Sequence, residues 1–224
     1  MQEIFEVLHR CTLFAGIDHA DLPGLLSCLG AETLAFKKHA PVFSEGDPAR
    51  YVGIVLTGSV QIVRDDYYGN RTILAHAAPG ELIAESFACA GVAALPVSVL
   101  AAEDCTVLRI DCARITRSCS NACGFHNRLI LNLLQVMADK NLAFHKKLEI
   151  TSRRTTREKL LAYLLWQAKA QNAASFTIPF DRQALADYLG VERSAMSAEL
   201  GKLRKDGIID FDRSRFTLKT EVTV

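Results

Sequence analysis

Arg193, Ser194 and Ser197 lie on one face of a predicted helix, opposite the apolar Met196 and Leu200. An arginine near the start of a helix can donate two hydrogen bonds to O6 and N7 of guanine, a contact that discriminates between bases by ~1–3 kcal/mol. Serine hydroxyls at the neighbouring positions can reach bases or phosphates. We therefore predict that these three side chains read base edges in DNA.

Cationic side chains surround this face, and the C-terminal third of the chain carries a local positive excess. Residues 149–224 contain 13 Lys or Arg and 10 Asp or Glu, whereas residues 1–148 contain 13 and 15. Such cations can hold phosphates, which positions a protein on DNA without specifying the sequence. A solvated surface is the alternative for Arg182, Lys202 and Arg213. The predicted phosphate contacts are Arg182, Lys202, Lys205 and Arg213.

The segment that must position these side chains is FDRQALADYLGVERSAMSAELGKLRKDG, residues 180–207, which has the pattern of two helices joined by a tight turn. Asp181 is placed to cap the first helix, and Gly190 can take the left-handed conformation that reverses the chain. The following IIDFDRSRFTL predicts a two-stranded wing. These features predict a winged helix-turn-helix, a motif that binds DNA. A helical hairpin that only fills a domain is the alternative.

Upstream, residues 121–153 predict one long helix with an apolar seam at alternating steps of four and three. A second apolar row widens the face in the first half of the helix, and its places are then taken by Lys140, Ala143 and Lys147. We expect the first half to contact both its own β unit and a partner helix, and the second half to contact only the partner. A helix buried in its own domain is the alternative to a homodimer. The seam residues are Ile130, Leu134, Met137, Asn141, Phe144 and Leu148, and the second row is Phe125, Leu129, Leu133 and Val136.

Dimeric helix-turn-helix proteins read two half-sites about 34 Å apart, which explains a dimerisation helix ahead of the reading unit. Asn141 is the single polar seam residue, a type that often sets register. The seam ends near Thr155, where Thr155 and Glu158 have the form of a capping box that starts a new helix. A hinge is therefore expected at residues 150–155.

Residues 31–111 show short runs of Val, Ile, Leu and Phe separated by turn residues, which is typical of an all-β sandwich or barrel. Ahead of them, residues 16–30 predict short helices, with Asp18 capping the turn that carries Leu22, Leu25 and Leu26. The predicted strands are Glu32–Lys37, Pro41–Phe43, Val52–Leu56, Ser59–Arg64, Arg71–Ala77, Val97–Ala101 and Cys105–Ile110.

Composition narrows the class of protein. A net charge of +1 argues against a chain that coats nucleic acid indiscriminately, because such proteins carry a broad cationic field. No nucleophile with a base at motif spacing and no phosphate-binding or dinucleotide glycine pattern occurs, so we do not expect an enzyme. No apolar run approaches the ~20 residues of a membrane span. The seven cysteines are an odd number without paired spacing, which indicates reduced thiols rather than a set of disulfide bonds. We expect a cytoplasmic protein without a membrane partner.

The order of these parts resembles the cyclic-AMP receptor and fumarate-nitrate regulator (Crp/Fnr) family of bacterial transcription factors. The resemblance rests on VFSEGDPARYVGIVLTGSVQIV (42–63), PGELIAES (79–86), NLAF (141–144) and the segment 180–207. It implies an α+β fold: an N-terminal double-stranded β-helix, or β-roll, of the cupin-like jelly-roll type (1–120), a dimerisation helix and hinge (121–153) and a C-terminal winged helix-turn-helix (154–224). It also implies double-stranded DNA, RNA polymerase and a small-molecule effector as partners.

In family members that bind cyclic nucleotides, a Gly-Glu pair holds the ribose and an Arg followed by Ser or Thr holds the cyclic phosphate. Gly80 and Glu81 match the first pair, but Leu95 and Pro96 occupy the place of the second. Without that cation, cyclic AMP is not the expected effector, and Glu81 is expected to bond the backbone of its own turn. The remaining alternatives for this region are a pocket for a small apolar or aromatic ligand and a filled core without a ligand. The candidate lining is Gly80, Glu81, Leu82, Glu85, Ser86, Phe87, Leu95 and Val97.

The family also contains iron–sulfur and haem sensors, but the sequence requires no cofactor. Cys119, Cys123 and His126 recur on one face of the predicted helix and could converge on zinc or haem iron. Buried structural cysteines are the alternative reading of those positions. A cyclic-nucleotide-binding regulatory module of an enzyme or channel is a rival function, which the C-terminal winged helix disfavours. The recognition helix also departs from the family, because Ser194 and Ala198 stand where many members carry Glu and Arg.

Overall fold

The computed structural model describes residues 2–116 and 125–219. The chain divides into two compact units. The first comprises the residues up to 70 together with 74–141, and the second comprises 71–73 together with the residues from 142 onward. No helix in the described ranges is both long and apolar enough to cross a membrane.

Two four-stranded antiparallel sheets form the β-roll. Their order is β1-β8-β3-β6 in one sheet and β2-β7-β4-β5 in the other. The strands are β1 (Glu32–Phe36), β2 (Pro41–Phe43), β3 (Tyr51–Thr57), β4 (Val60–Asp65), β5 (Arg71–Ala77), β6 (Leu82–Ile83), β7 (Ser98–Ala101) and β8 (Cys105–Asp111). All seven predicted strands are confirmed to within one residue at each end, while β6 was not predicted.

Alternation along β3 and β8 divides the core into two layers. Ile54 and Leu108 point to a cluster shared with helices, whereas Val55 and Val107 point into the roll. Both faces of these strands are therefore buried, as the pleat requires when each face is covered. Gly53 shares the roll-facing side of β3 with Val55, and a Cβ atom there would come 2.6 Å from Cγ1 of Ile83, so the close approach of β6 depends on glycine.

Short helices cover the outer face of the first sheet. They are α1 (Gln2–Arg10), α2 (Leu22–Leu29), α3 (Glu85–Ala90) and α4 (Cys112–Thr116). The predicted cap at Asp18 is wrong: α2 begins at Leu22, its N-cap is Asp21, and no side-chain cap bond forms. Pro23 occupies an early helical position and has no N–H, which removes one of the donors that a capping side chain would accept from.

The long helix α5 (Phe125–Thr151) runs from the first unit into the second. Its second apolar row packs in the helical cluster with the β-roll through Leu129, Leu133 and Val136, as predicted. Along the predicted seam, Leu134, Phe144 and Leu148 are 61%, 62% and 56% exposed in the single chain. An apolar stripe therefore lies open to solvent on both sides of the polar Asn141, while Ile130 and Met137 are half-buried. The expectation that the second half of α5 contacts only a partner is wrong, because Lys147 donates to the carbonyl of Ile73 and lies 4.2 Å from the ring centre of Tyr188.

The second unit packs three helices against a small sheet of order β10-β11-β9. Thr155 and Glu158 form the predicted capping box at the start of the first of these helices. The wing is confirmed, and the residues before Asp181 add a third strand to it. The elements are α6 (Thr156–Ala170), β9 (Ser175–Thr177), α7 (Arg182–Leu189), α8 (Arg193–Lys205), β10 (Ile209–Asp212) and β11 (Arg215–Leu218).

Candidate nucleic-acid interface and effector segment

Helices α7 and α8 are joined by a turn whose local bonds follow directly from the sequence. Asp181 Oδ1 accepts from the Ala184 amide at 2.8 Å, which caps α7 as predicted. Gly190 takes the left-handed conformation with φ 61° and ends that helix. Met196, Leu200 and Leu203 are buried, so α8 is oriented with its opposite face toward solvent.

Glu192 caps the N-terminus of α8, a role that the sequence analysis missed. Its Oε2 atom accepts from the amides of Ser194 at 2.7 Å and Ala195 at 3.0 Å. The Ser194 hydroxyl and the two amides lower the pKa of the Glu192 carboxyl. An acidic residue immediately ahead of an apolar-periodic segment was the available signal.

The predicted base-reading residues are all exposed on α8. The Ser194 hydroxyl donates to Glu192, and the Ser197 hydroxyl donates to the Arg193 carbonyl at 2.9 Å. Both hydroxyl oxygens can still accept a hydrogen bond, and both can rotate to donate elsewhere. At Gly201 an added Cβ would meet nothing within 4 Å, so this face also leaves room for close approach. The structure thus brings Arg193, Ser194 and Ser197 onto one accessible face, and their role remains a prediction.

The predicted phosphate contacts differ in their surroundings. Lys205 and Arg213 are exposed, and Arg213 lies in the wing turn with φ 48°. Lys202 is also exposed and pairs with Glu199 at 2.5 Å. Arg182 is half-buried, with its guanidinium carbon 4.6 Å from the ring centre of Phe211, and burial lowers the pKa of this guanidinium. Lys202, Lys205 and Arg213 are therefore accessible, while Arg182 also holds the wing against α7.

The effector segment, residues 80–97, contains two carboxylates in different settings. Glu81 is exposed, and its Oε2 accepts from the Ala78 amide at 2.7 Å, which confirms the expected bond within its own turn. Glu85 begins α3, and its side chain is only 2% exposed. Lys140 of α5 lies 2.9 Å from Glu85 Oε2 and also donates to the Leu82 carbonyl. The Ser86 hydroxyl donates to Glu85 Oε1 at 3.0 Å.

The remaining predicted lining residues divide between the two core layers. Leu82 packs in the helical cluster, whereas Leu95 packs inside the roll with Phe87 against it. Val97 is buried and Gly80 takes φ 90°. The buried polar contact of the effector segment is thus the ion pair between Glu85 and Lys140. The sequence analysis placed Glu85 in the candidate effector pocket but not Lys140, which lies 55 positions away.

Two family models match the chain. A cyclic nucleotide-binding domain matches residues 33–121, and a Crp-like helix-turn-helix domain matches residues 158–221. The chain belongs to the Crp/Fnr family. The first match covers the β-roll strands and the effector segment, and the second covers α7, α8 and the wing.

Individual proteins are similar to this chain in sequence or in fold. The chain is 28% identical over 98 residues to the transcriptional activator protein FnrL of Cereibacter sphaeroides, a match that spans 40% of each chain. FixK2 of Bradyrhizobium japonicum has the same fold, with a TM-score of 0.69 and 22% identity over 85% of this chain and 93% of that one. The c-di-GMP-responsive regulator CLP of Xanthomonas campestris gives a TM-score of 0.73 and 19% identity over 88% and 99% of the two chains.

Of the three candidate metal ligands in this Crp/Fnr-family chain, His126 lies within the described residues. Cys119 and Cys123 lie outside the described residues. His126 is buried, with Nε2 at 3.2 Å from the Arg114 carbonyl. Within residues 2–116 and 125–219, no three His, Cys, Asp or Glu side chains are grouped so that they could hold a metal ion.

Proposed function

We propose that this Crp/Fnr-family chain binds a palindromic operator as a homodimer, and that its β-roll responds to a small effector or to redox state. The observation that carries the proposal is the exposed face of α8, on which Arg193, Ser194 and Ser197 lie opposite a fully buried row. A helix oriented by its own core can enter the major groove with this face toward the bases. RNA polymerase is the expected protein partner of the DNA-bound form.

The apolar stripe on α5 supports the homodimer. Leu134, Asn141 and Leu148 recur at seven-residue intervals and all are exposed in the single chain, as are the nearby Leu131 and Leu142. Large exposed apolar rows of this kind mark association surfaces, and a self-complementary helix seam is the simplest occupant. Pairing would place two α8 helices on one DNA duplex.

The surroundings of Glu85 favour an effector other than cyclic AMP. Its carboxylate is already bonded by Lys140 and Ser86, and the buried Leu95 offers no charge to an anionic phosphate. A cyclic nucleotide would therefore have to desolvate its phosphate without a cation at the place of Leu95. We expect no shift of the thermal unfolding midpoint on addition of cyclic AMP.

The function is tested by selection of bound DNA from a random pool at a stated salt concentration, with and without cell extract. An inverted repeat with half-sites about one helical turn apart is expected. Failure to enrich any inverted repeat in both conditions would refute the proposal.

Three variants test the reading face on the selected site. Arg193→Ala is expected to relax discrimination at one guanine by ~1–3 kcal/mol, whereas Lys205→Ala weakens binding to all sequences and lowers the salt slope by about 1. Lys169→Ala removes an exposed cation from the end of α6 and serves as the matched control. Equal losses in all three variants would contradict base reading by Arg193.

The seam is tested by sedimentation of Leu134→Arg. A buried cation at the centre of the seam should abolish dimers at micromolar concentration. Gln135→Arg places the same charge one residue away, at an exposed position off the seam, and should leave the dimer intact. A monomeric wild type, or a dimeric Leu134→Arg, would overturn the assignment of the interface.

A further inference from the structure

Two cysteine side chains meet beside the effector segment. Cys89 lies on α3 and Cys112 is the first residue of α4, and their Sγ atoms are 3.6 Å apart. A disulfide bond requires about 2.05 Å between the sulfur atoms, so a small movement of either side chain closes the gap. Cys89 is exposed to solvent, whereas Cys112 is 6% exposed and belongs to the helical core cluster.

We propose that Cys89 and Cys112 form a redox modification site, at which a hydroperoxide converts the two thiols to a disulfide. The Cys89 thiolate attacks the peroxide, an S–O bond forms, the O–O bond breaks and hydroxide leaves. The Cys112 sulfur then attacks the Cys89 sulfenic acid and loses its proton, the S–S bond forms, the S–O bond breaks, and the departing hydroxyl group takes that proton and leaves as water. Overall, two thiols and one hydrogen peroxide give one disulfide and two water molecules, a transfer of two electrons.

The two sulfurs have different environments, which sets the order of the steps. Burial, and then the neighbouring Cys89 thiol, raises the pKa of the Cys112 thiol to about 12. Cys112 therefore stays protonated and shielded, and the exposed Cys89 meets the oxidant first. The short distance keeps Cys112 within reach of the sulfenic acid before a second oxidation.

The position of the pair gives the disulfide a means of acting on the rest of the first unit. Helix α3 has six residues, begins with Glu85 and ends at Gly91 in the left-handed conformation. Its Glu85 and Ser86 contact Lys140 and Met137 of α5, so a bond that fixes α3 to α4 acts on a segment that already touches the long helix. This regulatory consequence rests on the proposed DNA binding, whereas formation of the disulfide does not.

The chemistry is tested on the full chain, reduced, freed of reductant and treated with hydrogen peroxide at one equivalent. Titration of thiols after denaturation should show a loss of two of the seven. Tryptic digestion isolates Cys112 in the peptide 110–114, which should appear linked to the peptide 72–109 that contains Cys89. The peptide 72–109 also contains Cys105, which could form the link in place of Cys89. The linkage must therefore vanish in Cys89→Ser.

Variants separate the two steps. Cys112→Ala should accumulate a sulfenic acid at Cys89 that a dimedone probe captures, and Cys28→Ser, which removes another exposed thiol, should oxidise as the wild type does. A wild type in which Cys89 becomes over-oxidised, or is linked to any cysteine other than Cys112, would overturn the proposal, as would unchanged thiols.

Binding to the selected operator is then compared for the oxidised and reduced wild type, with Cys89→Ser as the control. A change in Kd of about 5- to 150-fold is expected, the usual range of coupling between sites. If the disulfide forms and Kd does not change, the regulatory role is refuted while the modification site stands. If neither form binds DNA, the proposed function fails. The presence or absence of the linked peptide still shows independently whether the disulfide forms.

Discussion

Replacing Lys140 by methionine removes the only cation bonded to the buried carboxylate of Glu85 among the residues that the structure describes. Methionine keeps the unbranched shape and has a similar helix propensity, so α5 should persist. The Ser86 hydroxyl remains as a partner of Glu85, but it cannot replace a charge. Opening of α3 should therefore become easier in the variant.

The size of the effect follows from the exposure of the two partners. Removing one member of a fully buried ion pair costs about 3–5 kcal/mol, and an exposed pair contributes ~0–1 kcal/mol. The Glu85 side chain is 2% exposed and that of Lys140 is 38% exposed. We expect an intermediate loss of about 2–3 kcal/mol for Lys140→Met, since solvent screens the ammonium group but not the carboxylate.

A double-mutant cycle isolates the pair. Glu85→Gln leaves the Lys140 ammonium with the Leu82 carbonyl and solvent, so its loss should be smaller, about 1 kcal/mol. The double variant should be more stable than the sum of the single changes predicts, with a coupling of about 1–2 kcal/mol.

Hydrogen exchange measured by mass spectrometry gives the local readout. The Ala88 amide bonds to the Ala84 carbonyl across the start of α3, and its protection should fall by about 30- to 150-fold in Lys140→Met. Peptides from α8 should keep their protection and serve as the internal control. Protection within about twofold of the wild type, or strictly additive single variants, would show that the pair does not stabilise α3.

Three further predictions concern stability. Burial lowers the pKa of Lys147 to about 8, below its value in the unfolded chain, so the folded protein binds fewer protons between pH 8 and 10.5. The free energy of unfolding in urea of the wild type, relative to that of Lys147→Met, should therefore rise through that window by up to about 3 kcal/mol. A difference that does not change with pH would contradict the burial of Lys147. Gly53→Ala should destabilise the protein by about 1–3 kcal/mol, because the added Cβ meets Ile83. Gly24→Ala lies inside α2 with open space around it and should stabilise the protein by about 0.5–1 kcal/mol. Equal effects of the two variants on the thermal unfolding midpoint would refute the packing explanation. Asp181→Ala should cost about 0.5–2 kcal/mol through loss of the α7 cap, and a circular dichroism melt that matches the wild type would exclude this role.

Several features of this chain could be predicted because they depend on residues that are close in sequence. The capping box of Thr155 and Glu158, the cap at Asp181 and the left-handed Gly190 each involve bonds across about four residues or fewer. The β strands followed from short apolar runs bounded by turn residues, and the seam of α5 from its spacing. Asp18 shows the limit of such reasoning, because a plausible capping residue lies three positions ahead of the cap that the helix uses.

The amino-acid sequence by itself therefore determined the order of the β unit, the long helix and the winged helix-turn-helix, the face of α8 that is open to solvent and the apolar stripe on α5. Only the tertiary structure decided which distant side chains meet: Lys140 with Glu85, Cys89 with Cys112 and Arg182 with the wing. The physical reason is that periodicity specifies which face of an element is buried, but not which residue of another element lies against it. That partner depends on how the sheets and helices pack together, and packing is a property of the whole unit.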